Sequence, residues 1–500
     1  FNSFNGIPAT ENHWLLTDLL RKQWHYQGFV VSDWNAVQEL KAHGVAETDE
    51  DAALLALKAG VDMNMTDGLY NRCLATAVRE KHLSVSDIDT AVERILRAKY
   101  ALGLFDDPYR FLDVARERRE VRSSRLDSLA RKAAASSMVL LKNNVAVLPL
   151  SKQIRRIALV GPLANNQDEV MGSWNARGNA RDVVTVKEGL RQKLGNEVVI
   201  DYIQGCDFTD PSKREFSAAF DAAQQSDVVI AVLGEKALMS GESRSRAMLR
   251  LPGQQEALLD TLHKAGKPLV VVLMNGRPLC LQKVDTLADA LLEAWFPGTQ
   301  TGHAVADILF GDVVPAGKLT TSFPLTEGQI PNYYNYKRSG RPGDMPYSST
   351  VRHIDVPNHN LYPFGYGLSY TTFSYGKMQC PEQFSADGTL RVSVDVTNTG
   401  RFDGEEIVQL YVADKVASMV RPVKELKSFQ KLFIAKGQTR RVDFVLDVHD
   451  LGFYDNQMRY VIEPGTFEIM VGSDSETLQK RSVVWLGETL PRQAKDHISR

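Results

Sequence analysis

Cysteine is scarce in this 500-residue chain. The four that occur, Cys73, Cys206, Cys280 and Cys380, are scattered and form no C-x-x-C pair. That excludes a disulfide framework and a zinc ribbon as organising principles, though it leaves a single bridge open. Long apolar runs are missing too: none reaches the roughly 18–20 residues that a membrane-crossing helix needs. Charge of one sign is not in excess, with 59 Lys+Arg against 61 Asp+Glu and a formal net charge of −2. Neither nucleic acid nor an anionic membrane surface is therefore an expected partner. Nucleotide-cradling glycine patterns are absent, since "VGPLANN" and "LMNGRPL" fit neither G-x-G-x-x-G nor the P-loop. There is no internal repeat or low-complexity segment. The chain opens "FNSFNGIPAT", without an initiator Met or a signal peptide, and reads as if it starts within a domain.

What is present is patterned. From Glu11 to Leu104 helical and strand signals alternate. "WLLTDLLRKQW" (Trp14–Trp24) has helical spacing, and "GFVVSDW" reads as a strand buried on both faces. "EDAALLALKAG" is a helix stopped by Gly60, "VDMNM" a second short buried strand, and two more helices follow near 69–80 and 86–102. Strand, helix, strand, helix is a parallel α/β pattern, but two strands neither close a barrel nor cover a sheet. "GLFDDPYR" breaks the pattern and begins a linker. A second α/β region follows, with strands at 156–162, 197–203, 227–234, 268–276 and 290–298 and helices such as 253–266 between them. It predicts a mostly parallel sheet covered on both faces. Residues from Phe323 to Tyr370 read as long loops. Beyond them the period drops to two, in "LRVSVDVTNTG", "EIVQLYVAD", "TRRVDFVLD" and "GTFEIMVGS", predicting an antiparallel β-sandwich.

Two carboxylates stand where chemistry would sit. Asp33 ends a strand in a parallel α/β region, where catalytic groups gather. A carboxylate there can attack or stabilise an oxocarbenium-like centre, and the Trp34 indole offers a platform for a sugar ring. The plain alternative is that Asp33 caps the next helix and Trp34 packs at the strand edge. Glu242 lies in "LMSGESRSRAMLRLPG", in a loop flexible enough to reach another domain. Its plain alternative is an inert exposed loop residue. Arg244 and Arg246 nearby could pair with Glu242 or with another acid, and Glu235, at the tip of the preceding strand, is a competing acid. Trp174, in the Gly-flanked loop "MGSWNARG", is either a second sugar platform or a loop Trp packed on its neighbour. "FGYGLSYTTF" reads as a structural aromatic turn.

The pieces "GFVVSDW", "AGVDMNM", "VLLKNN", "MGSWNARG", "LPGQQEAL", "VVVLMNGRPL", "WFPGTQTGHAVADILFGDVVPAGKLTTSFP", "LYPFGYGLSYTTF" and "RPVKELKSF" run in order along nearly the whole chain. In them the chain resembles glycoside hydrolase family 3, in its bacterial periplasmic β-glucosidase form. The resemblance implies an α/β multidomain fold. The C-terminal part of a (β/α)8-type barrel would fill 1–105 and a linker 106–127. An α/β sandwich domain would fill 128–325, connecting loops 326–374, and a fibronectin type III-like β-sandwich 375–488. It implies Asp33 as nucleophile and Glu242 as general acid/base of a retaining mechanism, with Trp34 and Trp174 binding substrate and with no metal or cofactor. Such a mechanism needs the two carboxyls about 5–5.5 Å apart, one ionised and one holding a proton. Drawn from separate domains, they would make the domain interface the active site. The expected substrate is a β-linked oligosaccharide or glucoside and the expected compartment the periplasm. A homodimer is an open expectation. The family residues that grip glucose hydroxyls come from earlier barrel strands. The expectation is therefore a fragment whose partner is a missing N-terminal barrel segment, with little activity alone. The rivals are a β-xylosidase or other β-glycosidase specificity, and a non-catalytic carbohydrate-binding fragment.

Overall fold

The computed structural model describes residues 1–343, 349–385, 387–487 and 490–491. Residues 344–348 of the expected connecting loops, and 386 and 488 of the expected β-sandwich range, lie outside the described residues. The chain divides between Val121 and Arg122 into two compact units.

The first unit is mainly helical. Trp14–Gln23 winds as a wide helix whose end is closed by the Trp24 N–H donating to the Leu19 carbonyl. Helices Asp49–Ala59 and Val85–Ala101 each begin with a reciprocal capping box, Thr48 with Asp51 and Ser84 with Asp87. Leu69–Arg79 lies between them. Their apolar faces, Ala52, Ala53, Ala56, Leu69, Leu74 and Ala77, close over Val37, Leu40 and Val61. The two expected buried strands appear as a single parallel bridge, Val31 to Met63, and both side chains are exposed. The ladder is cut short because a side chain occupies it. The Val30 N–H donates to the Asp62 carboxylate at 2.7 Å instead of to a neighbouring strand. The expected linker is also more ordered than its composition suggests. It contains the helix Val114–Glu120, and the next helix starts at Ser124.

The second unit contains a six-stranded sheet and a β-sandwich. The sheet strands are β1 (Val139–Asn143), β2 (Arg156–Val160), β3 (Val199–Ile203), β4 (Val228–Gly234), β5 (Leu269–Met274) and β6 (Ala290–Glu293). They lie in the order β1-β6-β5-β4-β2-β3, all pairs parallel except β1 with β6. β4 and β5, "VVIAVLG" and "LVVVLM", are buried along their whole length, which is why they read as unbroken apolar runs. Helices Ser124–Ser137, Val186–Leu194 and Thr301–Leu309 cover one face. Phe216–Gln225, Gln255–His263 and Gln282–Leu287 cover the other. The turn "FGYGLSYTTF" is structural as expected: the Leu368 N–H donates to the Leu140 carbonyl and the Tyr366 hydroxyl to the Leu141 carbonyl.

The sandwich strands are β7 (Phe373–Tyr375), β8 (Thr389–Asn398), β9 (Gly404–Asp414), β10 (Glu425–Ile434), β11 (Thr439–Asp447), β12 (Gly465–Gly472) and β13 (Leu478–Trp485). They form antiparallel sheets β11-β8-β7 and β10-β9-β12-β13. Inward residues such as Val392, Val394, Leu410, Phe444 and Ile469 fill the space between. The sequence reading names β8, β9, β11 and β12. It misses the three-residue β7 and also β10 and β13, the two edges of the larger sheet; on β10, Phe429 and Phe433 are exposed.

Candidate functional site

In the first unit, Asp33 follows the short bridged segment. The Ser32 N–H donates to the Met63 carbonyl at 2.8 Å, and the Ser32 hydroxyl accepts the Met65 N–H at 2.8 Å. The buried Ser32 thus ties the two segments together and leaves the next side chain outside. Asp33 is exposed, with Oδ1 accepting the Trp34 N–H at 2.6 Å. It caps no helix: Gln38 precedes the short helix Glu39–Ala42, and Thr48 caps the one after it. Trp34 is 61% exposed, so its indole is not packed at a strand edge.

Beneath this segment lies a charge network that sequence reasoning missed. The Asp62 side chain is 2% exposed and ion-paired to Arg21 at 2.5 Å and Arg94 at 2.7 Å. Arg21 also donates to the carbonyls of Gly28 and Gly60. One buried carboxylate therefore joins a helix on each side to both extended segments. In the sequence, Asp62 is an isolated acid within "GVDMNM", and no local pattern marks its partners.

In the second unit, the loops after β2, β4, β5 and β6 gather at the carboxyl ends of parallel strands, the edge where open α/β sheets place their ligands. Glu242 is exposed in the loop after β4. The preceding Gly241 has φ +114°, and a Cβ there would meet Ser173 Oγ at 2.5 Å and Trp174 Nε1 at 3.5 Å. Only a glycine lets the two loops approach this closely. The structure therefore brings Glu242 and Trp174 into one neighbourhood, and Trp174 remains 74% exposed.

Glu235, the competing acid, is fully buried. Arg246 pairs with it at 2.5 Å and Arg277 at 3.4 Å, so it is a fixed counter-ion rather than an accessible group. At the end of β6, Glu293 is also fully buried. It accepts the Trp295 N–H at 2.9 Å and an Asn275 Nδ2 hydrogen at 3.1 Å. Burial pushes its pKa up to about 8, against the opposing hydrogen bonds from Trp295 and Asn275 and with added repulsion from Glu235. All four cysteines are free thiols. Burial raises Cys206 to about 12 and Cys280 to about 11, which makes both poor nucleophiles. Among the described residues, no helix is long and apolar enough to cross a membrane.

Comparison with known proteins places these features in a lineage. Residues 1–98 match the glycosyl hydrolase family 3 N-terminal domain, 138–370 the family's C-terminal domain and 406–475 a fibronectin type III-like domain. A periplasmic beta-glucosidase of Salmonella typhimurium is 44% identical over 509 residues, spanning 96% of this chain and 66% of that protein. A beta-xylosidase of Formosa agariphila is 39% identical over 96% of this chain and 67% of its own length. The crystal structure of a beta-glucosidase from Listeria innocua in complex with isofagomine superposes with a TM-score of 0.91 at 40% identity, covering 98% of this chain and 68% of that one. The chain thus spans about two-thirds of the length of these relatives. With three domain models matched in order and relatives this similar, the chain belongs to glycosyl hydrolase family 3.

Proposed function

We propose that this chain carries the two reacting carboxyls of a retaining exo-β-glycosidase, a β-glucosidase that releases terminal β-linked glucose. One contrast carries the reading. Asp33 and Glu242 are exposed, each with an exposed indole close by in chain or space, whereas the nearby Asp62 and the competing acid Glu235 are buried and ion-paired. A group that must meet substrate needs access, and a group that holds a scaffold needs a fixed counter-charge.

In the first step the Asp33 carboxylate forms a bond to the anomeric carbon as the bond to the leaving oxygen breaks. Glu242 gives its proton to that oxygen. In the second step Glu242, now a carboxylate, takes a proton from water. The water oxygen bonds to the anomeric carbon and Asp33 departs. Trp34 and Trp174 supply apolar faces for the sugar. The division into barrel portion, α/β domain and fibronectin-like domain belongs to the same proposal, as does a periplasmic location. The latter rests on the name of the Salmonella relative.

The test is trapping on the full-length gene product with a 2-deoxy-2-fluoro-β-glucoside carrying an activated leaving group. A peptide containing Asp33 gains the mass of the fluorosugar, and Asp33→Asn abolishes both labelling and turnover. A label on another residue, or normal turnover by Asp33→Asn, refutes the assignment. A β-xylosidase is the second reading, favoured by the Formosa relative. A higher kcat/KM on an aryl β-xyloside than on the matching glucoside would select it.

A further inference from the structure

Arg277 leaves the end of β5 in the turn Asn275–Gly276–Arg277. Its Nη2 donates to two backbone carbonyls, that of Met239 and, at 2.6 Å, that of Arg244. These two carbonyls bracket Glu242. The same guanidinium reaches the buried Glu235 through Nε at 3.4 Å. Arg246, on the far side of Glu242, pairs with the same Glu235 oxygen at 2.5 Å and donates to the Arg250 carbonyl at 3.1 Å. The turn itself fits against the loop, because a Cβ at Gly276 would lie 2.2 Å from Ser240 Oγ. A loop with exposed tip residues is thus pinned on both flanks to the rigid end of a buried strand.

We propose that Arg277 is a positioning residue that fixes the Glu242 loop, with buried Glu235 as the counter-ion that holds Arg277 and Arg246 in place. The inference rests on the reading of Glu242 as acid/base and adds to it the device that aims this carboxyl. Arginine suits the task because its planar fork satisfies several acceptors from one fixed position. A lysine offers a single mobile ammonium. Both guanidiniums meet the same Glu235 oxygen, Oε1; Oε2 and Arg277 Nε have no hydrogen-bond partner, so the Arg277 contact is an ion pair rather than a hydrogen bond.

The experiment compares Arg277→Ala, Arg277→Lys and Glu242→Ala in the full-length gene product. It uses 2,4-dinitrophenyl β-glucoside, whose leaving group departs without a proton, and phenyl β-glucoside, which needs one. A misplaced acid lowers kcat/KM on the phenyl substrate by about 10- to 100-fold, part of the full contribution of general acid catalysis, and leaves the activated substrate within about threefold. Arg277→Lys recovers part of the loss. Hydrogen exchange in peptides spanning 237–247 speeds up in Arg277→Ala, with β4 and β5 unchanged. Equal losses on both substrates in a folded variant, or unchanged exchange in 237–247, overturn the proposal. If Arg277→Ala does not fold, Arg277→Lys must still show the substrate split, and an unsplit loss there overturns it too. If Glu242→Ala itself shows no split, the acid/base reading fails. The exchange result then still decides whether Arg277 holds the loop.

Discussion

Replacing Glu293 by Gln isolates the cost of keeping a carboxyl inside the sheet. In the folded protein burial lifts its pKa from 4.5 to about 8, so it holds a proton at neutral pH while the unfolded chain has released one. The folded state therefore binds more protons throughout that window, and stability falls as pH rises, by about 1.4 kcal/mol per unit. The contribution is fully present below about pH 4.5 and lost by about pH 8. Between pH 5.5 and 7.5 wild type should lose about 2.5 kcal/mol that a non-titrating Gln does not. Gln has its own cost. Both neighbours, the Trp295 N–H and the Asn275 amide, are donors. The Gln NH2 cannot accept from either, so one hydrogen bond worth about 1 kcal/mol is lost. Glu293→Gln should thus be the less stable protein near pH 4.5 and the more stable one above about pH 6. Guanidinium unfolding of both proteins, followed by tryptophan fluorescence on the same transition at several pH values, measures the difference directly. A difference that stays constant across the range would show that Glu293 titrates like an exposed acid, and the burial argument would fail.

Asp62→Asn strands the guanidiniums of Arg21 and Arg94 without their anion, and should destabilise the first unit by about 3–5 kcal/mol. Limited proteolysis between 1 and 121 would register the loss, and wild-type resistance would count against the network. Asp307 takes a bidentate pair from Arg131 at 2.6 and 2.7 Å and a bond from Lys193 at 3.1 Å. Burial works to raise its pKa, but those hydrogen bonds prevail and hold it below the ordinary range. Its contribution is present above the unfolded pKa and lost as pH falls through the folded one. Asp307→Asn should therefore cost about 2–3 kcal/mol near pH 7 and progressively less below about pH 4. Thermal melts at the two pH values check both the size and the sign.

Much of the fold was readable because its signals are local. "VVIAVLG" and "LVVVLM" need no context to be read as strands covered on both faces, and Gly60, at φ +117°, stops its helix where the sequence expects it. Reading fails where the partner is remote or is water. β10 and β13 each lie at an edge of their sheet, so alternation is diluted on β10 by the exposed Phe429 and Phe433 and on β13 by the exposed Lys480 and Arg481. The strands expected at 28–34 and 61–65 shrink to one bridge because the Asp62 carboxylate takes the Val30 N–H, and the sequence carries no sign of that substitution.

The site divides in the same way, and the division has a physical cause. Glu235 and Glu242 stand in one loop with similar neighbours, and each is followed within the loop by basic residues. What separates them is burial: Glu235 is fully buried between Arg246 of its own loop and Arg277 from the end of β5, and only the first of these is near it in sequence. A charge taken out of water must be paid for by partners held in fixed geometry, so a buried acid is committed to its scaffold and loses the freedom to exchange protons with a substrate. The exposed acid keeps that freedom but has no positional order of its own. Under the roles proposed above each needs the other: Glu235 supplies the order and Glu242 the access, with Arg277 joining them. A motif can name the accessible carboxyl because its surroundings are local glycines and serines. It cannot name the buried one's role, because that role exists only after the sheet has formed.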